Sequence, residues 1–184
     1  MQEVFIGREK ELADLEELYS QDRFQLFVLY GRRRVGKTTL LNEFCKNKDA
    51  IFYSAEQSND KLNLEKFSSL VFQFYGENNL EPFSSWTNAL SYIDERQGEK
   101  KLVLVIDEFP YLVKKNRALL SELQHLIDHK LTSGKLFLIL SGRYGIYGEG
   151  SAWFQKSSFW KKNSAASYES FWISDKLQVY DRIF

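Results

Sequence analysis

The stretch that most constrains this chain runs from Gln25 to Leu41. Leu26-Phe27-Val28-Leu29-Tyr30 is an unbroken apolar run, the pattern of a strand buried on both faces. Gly31 ends it. Gly36-Lys37-Thr38 then opens a stretch with apolar residues at Leu40, Leu41 and Phe44, the spacing of a helix with one buried side. Strand, glycine-bounded loop and helix enclose the P-loop pattern GxxxxGK[ST] in the context that pattern requires. A chance match to the pattern would not supply both flanking elements. The expected class is α/β.

These residue types suit one kind of ligand. A triphosphate carries dense negative charge, which something other than water must solvate. Backbone N–H groups of Gly31, Arg32, Arg33, Arg34, Val35 and Gly36, and of Lys37, Thr38 and Thr39 in the first helical turn, can supply that, aided by the helix dipole. Gly31 and Gly36 let the backbone turn and approach closely. Lys37 is expected to reach the β- and γ-phosphates, and the Thr38 hydroxyl to ligate Mg²⁺. The three arginine side chains need not touch ATP, because such a loop works through its backbone.

Composition narrows the field. A length of 184 residues fits one domain or part of a larger one, and 43% hydrophobic residues can fill its core. A net charge of +0 gives no overall basic field, so nucleic acid is not indicated, although a local basic patch stays open. Cys45 is the single cysteine and reads as a small packed residue in a reducing compartment. No apolar run approaches the ~20 residues that span a bilayer, and MQEVFIGREK lacks the features of a signal peptide. A cytoplasmic protein with no membrane partner is expected.

Before the first strand, Val4-Phe5-Ile6-Gly7-Arg8-Glu9 leads into a helix with Leu12, Leu15 and Leu18 on one face and acidic residues on the other. After the P-loop helix, Ala50 to Ala55 reads as a strand, Leu62 to Tyr75 and Trp86 to Arg96 as amphipathic helices, and Pro82 to Ser85 as a turn. Leu102-Val103-Leu104-Val105-Ile106-Asp107-Glu108 is the second decisive stretch. In an open parallel sheet, ligands sit beyond the carboxyl ends of the strands, so Asp107 and Glu108 should emerge beside the P-loop. Asp107 is expected to hold the Mg²⁺ shell through water, and Glu108 to polarise the attacking water as general base. The plainer alternative is a strand ending in a solvated acidic turn.

Phe109-Pro110-Tyr111-Leu112 should turn the chain away, and Arg117 to Leu131 should form a helix. His125 and His129 lie one helical turn apart on it, a spacing that can bind metal, but no third ligand accompanies them and they read as solvated surface residues. Lys135 to Gly142 is another apolar strand that brings Ser141 to the same edge, where it could sense the γ-phosphate or the attacking water, or simply cap a turn.

From Phe5 to Gly142 the chain resembles the archaeal-type P-loop ATPases, relatives of AAA+ and STAND NTPases. The likeness rests on Phe5-Ile6-Gly7-Arg8-Glu9-Lys10-Glu11-Leu12, on Tyr30 to Thr38 with its three arginines, on Ile106-Asp107-Glu108-Phe109-Pro110-Tyr111-Leu112, and on Leu138-Ile139-Leu140-Ser141-Gly142. The resemblance implies a three-layer α/β/α P-loop NTPase of the ASCE type. Its sheet would be mostly parallel, with the Ser141 strand lying between the P-loop strand and the Asp107 strand. It implies ATP and Mg²⁺ as ligands, with hydrolysis as the reaction. It further implies that the arm Phe5-Ile6-Gly7-Arg8 lies over the adenine. Such ATPases often assemble, and they run on into a fifth strand, a winged-helix region and usually a further C-terminal domain. A homo-oligomer and a C-terminal effector domain absent here are therefore the implied partners.

The resemblance stops at Gly142, so residues 1–142 read as an incomplete ATPase domain. In 143–184 leucine nearly vanishes while Trp153, Trp160, Trp172, serine and glycine accumulate, without evident helical or strand periodicity. The fifth strand is thus missing or replaced. The arginine that relatives could offer to a γ-phosphate is also missing, and such a group is worth ~10³–10⁵ in rate. If nothing replaces the strand, Leu26 to Tyr30 lies unpaired at a sheet edge, an aggregation hazard. Stacking of the tail tryptophans on nucleic acid is a weaker functional reading of the segment.

The expected function is Mg²⁺-dependent ATP hydrolysis, carried by Lys37, Thr38, Asp107 and Glu108. The alternative is a nucleotide-binding remnant or switch with little turnover. A small-molecule kinase is disfavoured, because an Asp-Glu pair after an apolar strand suits water as acceptor. The tail itself reads as a frameshifted, poorly packed product. A one-base shift makes Trp153-Phe154 encode Gly. It also lets Ser157 to Asn163 encode Pro-Leu-Phe-Gly-Arg-Arg-Thr, similar to a family stretch at this place. The coding DNA past codon 142 checks this: the shifted frame should stay open through the Gly-Arg-Arg codons, and an early stop refutes it.

Overall fold

The computed structural model describes residues 8–78, 80–143, 170–173 and 177–181. The elements in chain order are α1 (Glu9–Ser20), β1 (Gln25–Gly31), α2 (Lys37–Cys45), β2 (Ala50–Ser54), α3 (Asp60–Phe74), α4 (Trp86–Gln97), β3 (Val103–Asp107), α5 (Pro110–Lys115), α6 (Leu119–His129), β4 (Phe137–Arg143), β5 (Ser170–Ile173) and β6 (Leu177–Asp181). The sheet order is β2-β3-β4-β1-β6-β5. The first four strands are mutually parallel, and β4 lies between β1 and β3. This is the expected three-layer α/β architecture.

Alternation along each strand feeds two cores. Leu26, Val28, Leu104, Ile106, Leu138 and Leu140 face the layer of α3, α4, α5 and α6. Phe27, Leu29, Val103, Val105, Phe137 and Ile139 face α1 and α2. Residues Leu26 to Leu29 are at most 2% exposed, which confirms a strand buried on both sides. Phe137 anchors the second core, with the rings of Tyr19, Phe27 and Phe44 around it. The partly buried Cys45 packs against the same core, and burial pushes its thiol up to about 11.

Several expectations are corrected. Pairing of β1 with β6 replaces the unpaired edge: Phe27 lies opposite Asp181, Leu29 opposite Val179 and Gly31 opposite Leu177, antiparallel. The segment read as lacking strand periodicity therefore contributes the β5–β6 ribbon. Pro110 does not merely turn the chain; it occupies the first turn of the short helix α5, where its missing N–H costs nothing. The helix expected over 117–131 is α6, followed by a separate 3₁₀ turn at Leu131–Ser133. His125 and His129 are exposed on α6, their ring centroids 4.4 Å apart. Glu11 was expected on the solvated face of α1 but is buried, paired with Arg8. Among the described residues, no helix is long and apolar enough to cross a membrane.

Asn63, read only as part of an amphipathic helix, is fully buried and ties α3 to the end of β2. Its Oδ1 accepts from Tyr53 OH (2.8 Å) and Glu56 N (2.9 Å), and its Nδ2 donates to the carbonyls of Glu56 (3.2 Å) and Asn59 (3.0 Å). Asn63→Leu removes these four bonds and leaves the Glu56 N–H without its acceptor. It should cost about 2–3 kcal/mol in urea unfolding; an unchanged midpoint would show the network to be incidental.

Candidate functional site

The carboxyl ends of β1, β3 and β4 converge on one edge, and the chain leaves β1 through a loop that folds back into α2. Two residues of the loop take left-handed backbone: Arg34 (φ 64°) and Gly36 (φ 82°). Gly36 is the N-cap of α2. A Cβ there would meet only Arg8 Nε at 3.8 Å, so conformation, not space, calls for glycine. Arg34 adopts the same region at a strain of ~1–2 kcal/mol. Gly31, the other glycine expected to turn the loop, closes β1 in register with Arg143.

Lys37 begins α2 and is 6% exposed. Its Nζ donates to the carbonyls of Gly31 (3.1 Å) and Arg32 (3.0 Å), so the ammonium holds the loop shut beneath the site. Burial lowers its pKa, and the carboxylates of Glu108 and Asp107 oppose that shift. Arg8 donates to the Val35 carbonyl and pairs with Glu11 at 3.3 Å, fastening the start of α1 to the loop. Phe5, Ile6 and Gly7 lie outside the described residues, so the proposed adenine arm is represented only by Arg8.

The structure joins the two decisive stretches directly. Thr38 Oγ1 donates to Asp107 Oδ2 at 2.8 Å, while Asp107 Oδ1 accepts from the backbone N–H of Glu108 at 2.9 Å. Strand alternation explains this: Val103, Val105 and Asp107 share the sheet face that packs on α2. Two oxygen donors of this kind, a hydroxyl and a carboxylate that is 3% exposed, fit a hard divalent cation such as Mg²⁺. Glu108 follows in left-handed backbone (φ 54°), an outlier of the kind found at functional sites. Its Oε2 is buried without a partner among the described residues.

Ser141 lies opposite Leu29 in the β1–β4 register, and Leu140 lies opposite Ile106, which sets Ser141 level with Asp107. It is fully buried, its hydroxyl unpartnered among the described residues, and its carbonyl accepts from Phe109 N at 2.9 Å. An orphaned buried hydroxyl is costly, and a ligand that used it would remove the cost. Arg32, Arg33 and Arg34 are exposed. Residues 33–39, with Glu108 and Arg143, line a cavity of about 340 Å³, which Arg32 does not reach. Thr39 lies on its wall, exposed.

Arg143 was not singled out from the sequence. The signal was available in the alternation of β4: Phe137, Ile139 and Ser141 are followed, one more pleat along the same face, by Arg143. Its Nε donates to Glu108 Oε1 at 2.5 Å and its Nη2 to Tyr111 OH at 3.2 Å. The bond to Glu108 raises the guanidinium pKa further.

Comparison with known proteins agrees with the fold. Residues 5–145 match the family described as an ATPase domain predominantly from Archaea. An uncharacterized protein of Methanocaldococcus jannaschii is 31% identical over 140 residues, which are 76% of this chain but 29% of that protein. Among solved structures, Cdc6p from Pyrobaculum aerophilum superposes with a TM-score of 0.59 at 17% identity, covering 85% of this chain and 42% of its own. The Walker-type ATPase of Pyrococcus abyssi does so with a TM-score of 0.50 at 23% identity, covering 75% and 45%. The two structures show the fold alone, and the chain spans less than half of each of these three proteins. With most of its length matched, the chain belongs to the ATPase-domain family found predominantly in archaea.

Proposed function

We propose that this chain binds ATP in the 340 Å³ cavity and hydrolyses it with Mg²⁺. The observation that carries the reading is the 2.8 Å contact of Thr38 with Asp107, made beside buried Lys37 and the left-handed Glu108. Thr38 and Asp107 would hold the cation, which when bound supplies neutralising charge to the phosphate oxygens. The loop N–H groups from Arg33 to Thr39 would grip the phosphates. Lys37 would exchange the Gly31 and Arg32 carbonyls for phosphate oxygen. Glu108 would take the proton of the attacking water at Oε2, the oxygen without a partner among the described residues. The Ser141 hydroxyl would orient that water or the γ-phosphate. Arg8 would close the adenine side.

A second reading has its own observation: Arg143 engages Glu108 at 2.5 Å, and a base so held suits a nucleotide-binding switch with little turnover. Self-association, a C-terminal effector domain and a cytoplasmic setting belong to the proposal as well, as does the division between residues 1–142 and a foreign tail.

Calorimetry with Mg-ATP tests the reading. Wild type should bind and Lys37→Ala should not; equal affinity of the two would refute it. Glu108→Gln should keep binding and lose about 10²–10⁴ in turnover. Background phosphate release from wild type, with binding intact, would select the switch.

A further inference from the structure

Arg143 closes the Ser141 strand, within the matched residues 5–145, and stands in the wall of the cavity. Its position follows from the pleat of β4, and its contacts are specific. The guanidinium meets Glu108 at 2.5 Å with both side chains largely covered, 24% and 18% exposed. It also donates to Tyr111 OH and lies 5.8 Å from the centroid of that ring. Nε and Nη2 are thereby used, which leaves donors on the same planar fork for a further oxygen anion.

Charge decides what could displace it. Lys37 and Arg143 both feel the charges of Asp107 and Glu108, and Arg33 and Arg34 add two further cations to the cavity wall. A terminal phosphate brings more charge and more acceptor oxygens than the single carboxylate of Glu108. A guanidinium binds such a group through two parallel N–H···O bonds. A diphosphate lacks that terminal group and offers no such competition.

We propose that Arg143 is the γ-phosphate-responsive residue of this site: it clamps Glu108 when no γ-phosphate is present and transfers to the γ-phosphate when one arrives, releasing Glu108. The inference rests on the reading of the cavity as an ATP site and adds to it a cis arginine and the means of telling ATP from ADP. The released carboxylate regains the freedom to approach water, so engagement of the terminal phosphate and readiness of the base become one event. By linkage, whatever Arg143 gains on moving from Glu108 to the γ-phosphate appears as preference for triphosphate over diphosphate.

Calorimetry on the full 184-residue chain, with Mg-ATPγS and separately with Mg-ADP, tests this. Arg143→Gln should weaken ATPγS by about tenfold or more, the scale of a lost charge-assisted bond. It should leave ADP within about twofold, since ADP never recruits the residue. Arg143→Lys, which keeps the charge and the packing but loses the fork, should fall between and guards against a folding defect in the first variant. Equal weakening of both nucleotides, or unchanged preference in both variants, overturns the proposal. If wild type binds nucleotide and Lys37→Ala does not, such a result leaves the site reading intact. If wild type binds neither nucleotide, both fall together.

Discussion

The contact between the Thr38 hydroxyl and the Asp107 carboxylate joins two parts of the chain that only the sheet order can bring together. With β4 between β1 and β3, the start of α2 arches over one strand to meet the tip of the next. A direct β1–β3 pairing would leave no room for Ser141 between them. Everything at this edge depends on that spacing: the loop held by Lys37, the acidic turn held by Asp107, and the cavity they enclose.

The polar groups at the edge are arranged in balanced opposition. Asp107 has both oxygens engaged, Lys37 spans two carbonyls, and Glu108 is met by Arg143. The exceptions are Ser141 Oγ and Glu108 Oε2, both buried and both without partners among the described residues. Paired charges make the edge tolerable to the fold, since an uncompensated buried charge costs far more than a paired one. The two unpaired atoms mark where the arrangement is incomplete without a ligand. Strain points to the same place, because Arg34 and Glu108 both sit in left-handed backbone beside the cavity.

Much of this was legible in the residues. The parallel strands announced themselves as apolar runs, and their ends placed Lys37, Thr38, Asp107, Glu108 and Ser141 on one edge because ligand positions follow strand direction. What was not legible depended on non-local pairing or on one residue beyond a run. Arg143 follows the apolar stretch of β4 and read as the first residue of the atypical tail, though strand alternation had already fixed its face. Asn63 was hidden inside an amphipathic helix, since its value lies in four hydrogen bonds reaching Tyr53, Glu56 and Asn59. Phe109-Pro110 looked like a chain reversal because proline interrupts helices, yet at a first turn it begins one. The partner of β1 was missed because Leu177 to Asp181 is short and meets β1 across about 150 positions of sequence.

That pairing has a topological consequence. A parallel neighbour for β1 would have to enter from the opposite direction through a crossover, whereas β6 runs back against it and presents β5 as the outer rim. The rim is four residues long, Ser170–Ile173, instead of the seven of β1. Any foreign backbone that sought to lengthen the sheet on this side would therefore find a short ledge in place of the apolar strand that launches the phosphate loop. The inner strand is shielded by its own chain's distal residues, and its geometry is insulated from neighbours in solution.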